Sequence, residues 1–325
     1  MVAVSIIIPT YNAEKTILET VHSIQRQTFQ DFEIIIINDG STDETLNILE
    51  QVLDERLKVF SYKNGGVSLA RNRGIALAQG EFLAFIDQDD LWTSDKLERQ
   101  LAALQHHPDA GAAYSWTTNM LSDGTSLSFS NGGCLTFEGN IYPELLLSNF
   151  IGSGSNILVR REVVNSIGFF NETLPTFADW DFYLRIAAQY HFVVVPKYQI
   201  LYRKTPGSMS SKVATMINDG LCMIEYAYQS APPDLQHLKK QSIAFLYRYC
   251  ADLALKNNLD KKNIQFAQEK LWLAIKLYPQ LLQEKYAQRL IAELLLKRLL
   301  PGRVFNFLVR PIRKNLSFPD PRLQP

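Results

Sequence analysis

The sequence predicts an α/β fold: a mainly parallel sheet with helices on both faces, followed by a C-terminal helical region. Three observations carry this. Strand-like apolar runs recur at 4–8, 33–37, 57–61 and 82–86. Segments of helical period lie between them. Beyond about residue 210 the strand signals cease and amphipathic helical patterns remain. The spacing predicts a first domain over 1–210 and a helical C-terminal region with a basic tail over 211–325.

In order, Val4-Ser5-Ile6-Ile7-Ile8 is the first strand. Ile17, Val21 and Ile24 then repeat at helical spacing, with Glu14, Lys15, Glu19 and Gln25 on other faces. Residues 33–37 form the second strand. Thr42 opens a helix to about Leu53, and Asp43 and Glu44 suit its positive N-terminal end. A strand over 57–61, a helix over 68–78 and a buried strand over 82–86 follow. Ser94 is placed to cap a helix from Asp95 to about His106, with Leu97 where a capping box has Glu. Residues 112–117 read as a strand, and 122–139, rich in Ser, Gly and Asn, as a ribbon or loop. Strands over 156–159 and 192–195 flank a helix over 179–189. Residues 235–256, 262–277 and 281–299 read as amphipathic helices.

Composition removes several functions. The 325 residues carry 33 Lys+Arg against 33 Asp+Glu, a balance unlike the basic excess of nucleic-acid binders. Cys134, Cys222 and Cys250 are far apart, with no CxxC pair and no disulfide framework, which points to a reducing compartment. The five histidines show no HExxH pattern. No basic residue precedes the first strand, and no run approaches the ~18–20 apolar residues that span a bilayer. The expectation is a cytoplasmic protein. Residues 285–314 hold eight Lys/Arg and one acid, Glu293, interleaved with Leu, Ile, Val and Phe. That pattern suits peripheral contact with an anionic membrane at its inner face, or equally a helical cap or dimer surface.

Ligands of an open parallel sheet bind beyond the carboxyl ends of its strands. The first strand leads there to Pro9, Thr10, Tyr11 and Asn12, and the second to Asn38-Asp39-Gly40-Ser41-Thr42-Asp43. The third leads to Lys63-Asn64-Gly65-Gly66, then Ser68, Ala70, Arg71, Asn72 and Gly74; the fourth leads to Asp87-Gln88-Asp89-Asp90. Residues 81–95 hold five acidic side chains and no basic ones. Carboxylates crowded at a strand end repel unless a cation neutralises them. Mg²⁺ or Mn²⁺ suits such oxygen ligands and shares its shell with substrate phosphates. Alone, DxD is also the chemistry of a solvated turn with Asp90 or Ser94 capping the next helix. Beside three other polar loops it points to a metal. A nicotinamide-dependent oxidoreductase would want GxGxxG after the first strand, and Pro9-Thr10-Tyr11-Asn12 has no glycine.

These blocks, with Gly65-Gly66-Val67-Ser68-Leu69-Ala70-Arg71-Asn72-Arg73-Gly74 and Phe177-Ala178-Asp179-Trp180-Asp181-Phe182-Tyr183-Leu184-Arg185, occur in order over about the first 210 residues. The pattern resembles the family 2 glycosyltransferases, which have the GT-A nucleotide-sugar fold. The resemblance implies an inverting transferase using a nucleoside diphosphate sugar, most often a UDP-sugar, and a saccharide or lipid-linked acceptor. Thr10, Tyr11 and Asp39 would hold base and ribose, with Pro9, Asn12, Arg71, Asp87 and Gln88 beside the donor. Asp87 and Asp89 would form the DxD element, Asp89 being the better placed for direct metal contact. Asp179 would be the general base. Ala178 stands where the family usually has Glu, and Thr205 where it often has His. The first departure leaves a catalytically impaired nucleotide-sugar-binding protein as the alternative.

Overall fold

The computed structural model describes residues 2–122, 127–174, 176–204, 213–257 and 261–299. The chain runs β1 (Val4–Thr10), α1 (Ile17–Gln25), β2 (Phe32–Asn38), α2 (Thr45–Glu50), β3 (Leu57–Ser61), α3 (Val67–Leu77), β4 (Phe82–Phe85) and β5 (Leu91–Trp92). It continues through α4 (Lys96–His106), β6 (Ala110–Ser122), β7 (Leu127–Asn131), α5 (Tyr142–Leu147), β8 (Leu158–Arg160), α6 (Arg161–Ile167), α7 (Ala178–Ala187) and β9 (His191–Lys204). Helices α8 (Val213–Ser230), α9 (Lys239–Asn257), α10 (Lys261–Leu277) and α11 (Lys285–Leu299) complete it. Two compact units result, one of residues 1–142 with 151–204, the other of 143–150 with 205–325.

In the first unit the strands form one sheet of order β3-β2-β1-β4-β8-β6-β9-β5, with β7 on β6. The first four strands are parallel, as expected. Beyond them the sheet is mixed, because β8 runs antiparallel to both β4 and β6. β1 and β2 are buried at every position, which explains their unbroken apolar runs. On one face Ile6, Ile8, Ile34 and Ile36 meet Ile17, Val21 and Ile24 of α1 and Leu97, Leu101 and Leu104 of α4. Each such side chain contributes roughly 1.5–3 kcal/mol when fully buried. On the other face α3 lies close because residue 74 is glycine: a Cβ there would stand 2.3 Å from Ile7 Cγ2.

Several boundaries differ from the sequence reading, each for a local reason. α2 starts at Thr45 rather than Thr42, because Asp43 is held in a turn by Thr45 N–H (3.1 Å) and by Glu14 N–H (3.1 Å). Ser94 is not the cap of α4. That position falls to Asp95, whose carboxylate takes Arg99, Thr93 and Gln199 instead. β6 and β9 are far longer than their apolar stretches. A register shift near Pro196 leaves the proline opposite no partner and lets pairing resume at Tyr198. Within the 122–139 segment the described residues of β7 pair antiparallel with the end of β6 as a ribbon.

In the second unit α9, α10 and α11 share a core of Ala251, Ala254, Leu255, Ala267, Leu271 and Leu290. The alanines let the helices approach closely. Asp252 is buried and accepts from Tyr286 Oη at 2.6 Å. On α11 Glu293 pairs with Lys297 at 3.3 Å, while Leu295 is exposed. Residues 300–314 of the basic segment lie outside the described residues. No helix among the described residues is long and apolar enough to cross a membrane.

Candidate active site

β1 pairs with β2 along its whole length but with β4 only from Val4–Phe82 to Ile7–Phe85. The last bond of the shorter ladder runs from Ile86 N–H to the Ile7 carbonyl, 3.1 Å. In parallel pairing the next would run from the N–H of residue 9 to the Ile86 carbonyl. Residue 9 is Pro9, which has no N–H. The strands part there, at the carboxyl edge where the strand order reverses. Open α/β sheets place ligands at such a crevice.

Loops are tied across this gap. Tyr11 N–H donates to Gln88 Oε1 (2.6 Å), and Gln88 Nε2 donates back to the Tyr11 carbonyl (3.0 Å). Asn12, with a left-handed φ of 49°, donates from its N–H to Ser41 Oγ (3.0 Å) and accepts from Thr42 N–H (2.8 Å). Thr20 Oγ1 reaches the carbonyls of Gln88 and Asp90, each at 2.9 Å. Pro9 and Thr10 are buried, whereas the Tyr11 side chain is exposed at the mouth.

Asp39 is buried and joins the second loop to the third. Its carboxylate accepts from Gly65 N–H (3.0 Å), Gly66 N–H (2.7 Å) and Arg73 Nη1 (3.0 Å). The Gly65 N–H is shared with the other carboxylate oxygen, also at 3.0 Å, so these contacts occupy the roughly four acceptor positions of the carboxylate. Arg73 itself lies 4.5 Å from the centre of the Tyr62 ring.

The four residues of the acidic turn are not equivalent. Asp90 is fully buried and points inward. It accepts from Ser155 Oγ (2.6 Å), Ser153 Oγ (3.2 Å) and Arg203 N–H (2.9 Å), so it does not cap the next helix. Burial, then Asp87 and Asp89, push its carboxyl well above the usual range. Asp87 donates its N–H to Ser155 Oγ (2.9 Å) and pairs with Arg71 Nη2 at 2.5 Å. Burial and then Asp87 push the Asp89 carboxyl up to about 6, with Arg203 opposing. Arg203 also donates from Nε to the Asp89 carbonyl, 2.8 Å. Asp87 and Asp89 are thus the pair left for a cation. Among the described residues no group of three or more His, Cys, Asp or Glu could hold a metal alone. Two carboxylates fit Mg²⁺ or Mn²⁺ that completes its shell with a diphosphate.

Arg71 is not a surface arginine. It is 5% exposed, and Asp87 and Asp179 favour its charged form against burial. Asp179, second in α7, accepts the Trp180 N–H on Oδ1 at 2.8 Å. Asp181 is engaged elsewhere. It pairs with Arg185 Nη2 (2.9 Å), and Arg185 donates to the Ile167 and Phe169 carbonyls at 3.0 and 2.8 Å. The helix starts at Phe177 in the left-handed region (φ 61°), its ring edge-on to Trp180 at 5.7 Å. Below the site Phe85, Phe170 and Phe182 form one aromatic cluster.

The sequence reading missed the 152–156 segment. Ser153 and Ser155 hold Asp90, the Ser155 carbonyl takes Trp92 Nε1 (2.9 Å), and the Ser153 carbonyl takes Tyr183 Oη (2.7 Å). It also missed Arg73 and Arg203. The run Gly152-Ser153-Gly154-Ser155-Asn156 was a visible turn signal, but nothing in it says which strand end it faces. Thr205 lies outside the described residues.

The model of a family described as "Glycosyltransferase like family 2" matches residues 5–257. A Bacillus subtilis (strain 168) glycosyltransferase named for teichuronic acid biosynthesis, TuaG, is 38% identical over 184 residues, 54% of this chain and 70% of its own. The chain also matches longer glycosyltransferases of Rickettsia species, of which it covers 32% or less. In structure it is similar to S. aureus TarS 1-349 in complex with UDP-GlcNAc, with a TM-score of 0.61 and 23% identity over 89% of this chain and 88% of that one. It is likewise similar to the Pyrobaculum calidifontis mannosyltransferase PcManGT in complex with GDP-Man and Mn²⁺. There the TM-score is 0.57 and the identity 18%, over 91% of this chain and 86% of that one.

Proposed function

This chain belongs to the glycosyltransferase-like family 2, and from that membership we propose that it transfers a sugar from a UDP-sugar to an acceptor hydroxyl with inversion. The observation that carries the reading is the convergence of the Tyr11, Asp39 and Asp87–Asp90 loops at the crevice Pro9 leaves open. The UDP-GlcNAc complex of TarS supports the choice of donor.

The exposed Tyr11 ring and Asp39 receive the base, Asp39 accepting from a uracil N–H in place of one branch of the shared Gly65 bond. Pro9, Thr10, Asn12 and Gln88 shape the mouth around the ribose. Asp89 with Asp87 would hold a Mg²⁺ or Mn²⁺, which would supply Lewis-acid stabilisation of the leaving diphosphate. Asp179 accepts the proton of the acceptor hydroxyl, whose oxygen attacks the anomeric carbon opposite the diphosphate. A single carboxylate at the attacking face suffices for direct displacement and inversion. The acceptor is a saccharide or lipid-linked saccharide, in keeping with the name of TuaG. The basic segment 285–314 touches an anionic membrane from the cytoplasmic side. Ala178 favours the second reading, a nucleotide-sugar binder without turnover, because no carboxylate precedes Asp179.

A panel of UDP-sugars with purified protein and Mn²⁺ tests the first reading. UDP release from at least one donor, abolished by EDTA, is expected. Tight UDP-sugar binding with no release from any donor, even with saccharide acceptors present, would favour the second.

A further inference from the structure

Arg71 is shut in on every side the structure defines. Its Nη2 meets Asp87 Oδ1 at 2.5 Å, and its guanidinium carbon lies 5.2 Å from the centre of the Phe170 ring. Phe170 stacks on Phe182 of α7 at 4.2 Å, so the ring that meets the cation also packs on the helix that carries Asp179. Asn72, the next residue of α3, fixes that floor by exchanging two hydrogen bonds with the Phe170 backbone, 3.0 and 2.9 Å. Gly154 closes the enclosure. A Cβ at this position would stand 2.5 Å from Nη2 and 3.1 Å from Cζ. The obstructed atoms are the end of a side chain, so a methyl group there would displace the guanidinium rather than the backbone. The Nε is buried with no protein partner.

Resting on the reading of Asp179 as base and Asp87 as a donor-side carboxylate, we propose that Arg71 is a positioning residue: a buried cationic strut, seated by the missing side chain of Gly154, that sets Asp87 against Asp179 and does not touch the donor. Two carboxylates brought to one crevice repel each other. A fixed guanidinium neutralises that repulsion and sets their spacing. Its loss would leave donor binding intact and misplace the reacting groups.

The test uses the full chain and three readouts. These are UDP affinity in EDTA, Mn²⁺ affinity from the spectrum of the free ion, and UDP release from UDP-GlcNAc. Arg71→Met is expected to leave the UDP dissociation constant within about threefold and to slow release about 10²-fold, the effect of an ångström-scale misplacement. It should also tighten Mn²⁺ binding about fivefold, because Asp87 loses a competing cation. Gly154→Ala should reproduce all three changes, and the double variant should show no further loss, since both substitutions act on one strut. A UDP dissociation constant raised more than tenfold by Arg71→Met would make the arginine a donor contact. Wild-type behaviour of Gly154→Ala, or additive losses, would separate the glycine from it. Either result overturns the proposal, and the two binding measurements decide it whichever sugar the enzyme uses. If Gly154→Ala does not fold, the double variant should, because the narrower neutral side chain makes room; its failure to fold also overturns the proposal. Asp179→Asn separates the two levels. Full release in that variant removes the base assignment, whereas a slow Asp179→Asn beside a fully active Arg71→Met removes the strut alone.

Discussion

Replacing Asp89 by asparagine should stabilise the metal-free protein while abolishing metal-dependent turnover. The carboxyl is pushed from an ordinary 3.8 up to about 6, by burial first and the Asp87 charge second. Between those two values the folded state holds a proton that the unfolded state has released. Stability therefore falls as pH rises through that window and stays level above it. A shift of about two units is worth at most roughly 3 kcal/mol at 1.36 kcal/mol per unit. Asp89 retains some solvent access, so a gain of about 1–2 kcal/mol for Asp89→Asn near pH 8 is the realistic expectation. At this size of folded unit that corresponds to roughly 2–8 °C in Tm. At pH 4 both chains carry a neutral group, and the gain should vanish. Thermal melts of wild type and variant in EDTA, from pH 4 to 8, measure it directly. Added Mn²⁺ should raise the Tm of wild type at pH 8 and leave the variant unmoved. A variant less stable than wild type at pH 8, or a difference independent of pH, would refute the account of Asp89 as a crowded, ionised ligand.

Asp179→Asn should keep UDP affinity and slow transfer by roughly 10²–10⁴, the contribution of a general base. Asp181→Asn should leave the rate near wild type and lower stability by about 1 kcal/mol, through its lost Arg185 pair; the reverse ranking in a rate assay would remove the base assignment. Asp39→Ala strands two backbone N–H groups and Arg73, and should lower stability by about 2–5 kcal/mol in urea melts, whereas an unchanged midpoint would mean that the third loop does not depend on it. Deleting 302–325 should weaken association with anionic vesicles, and salt should weaken it in the intact chain, since the screening length falls from about 10 Å at 0.1 M to about 3 Å at 1 M. Equal partitioning onto neutral vesicles, or none onto either, would point to a packing role for the segment.

β1 and β2 were legible because strands covered on both faces carry long apolar runs, here Ile6–Ile8 and Ile34–Ile37. β6 and β9 were only half legible. Past Ser115 and Val195 their residues turn polar, and pairing continues across a bulge that no periodicity announces. Two-residue β5 offers too little chain for any pattern. The chemistry of the fourth loop was legible as composition but not as direction. Asp87, Asp89 and Asp90 are alike in sequence, and only the turn decides that Asp90 faces Ser153 and Ser155. The burial of Arg71, a residue given a site role only through the family resemblance, was illegible for a related reason. α3 buries Ser68, Ala70, Asn72, Gly74 and Ile75 as well, so the helix has no polar face from which to read that its arginine lies inside.

Pro9 gives the crevice an unusual kind of permanence. Most openings in a protein are balances: a ladder frays because its next bond is weak, and temperature, salt or a distant substitution can tip it shut. Here the zipper between β1 and β4 halts at a nitrogen that carries no hydrogen. No change of solvent and no repacking elsewhere can supply the missing atom. The aperture is written into covalent structure at one position. An engineer wishing to narrow the mouth has a single place to begin, and one wishing to graft new loops onto it has a single residue to leave alone.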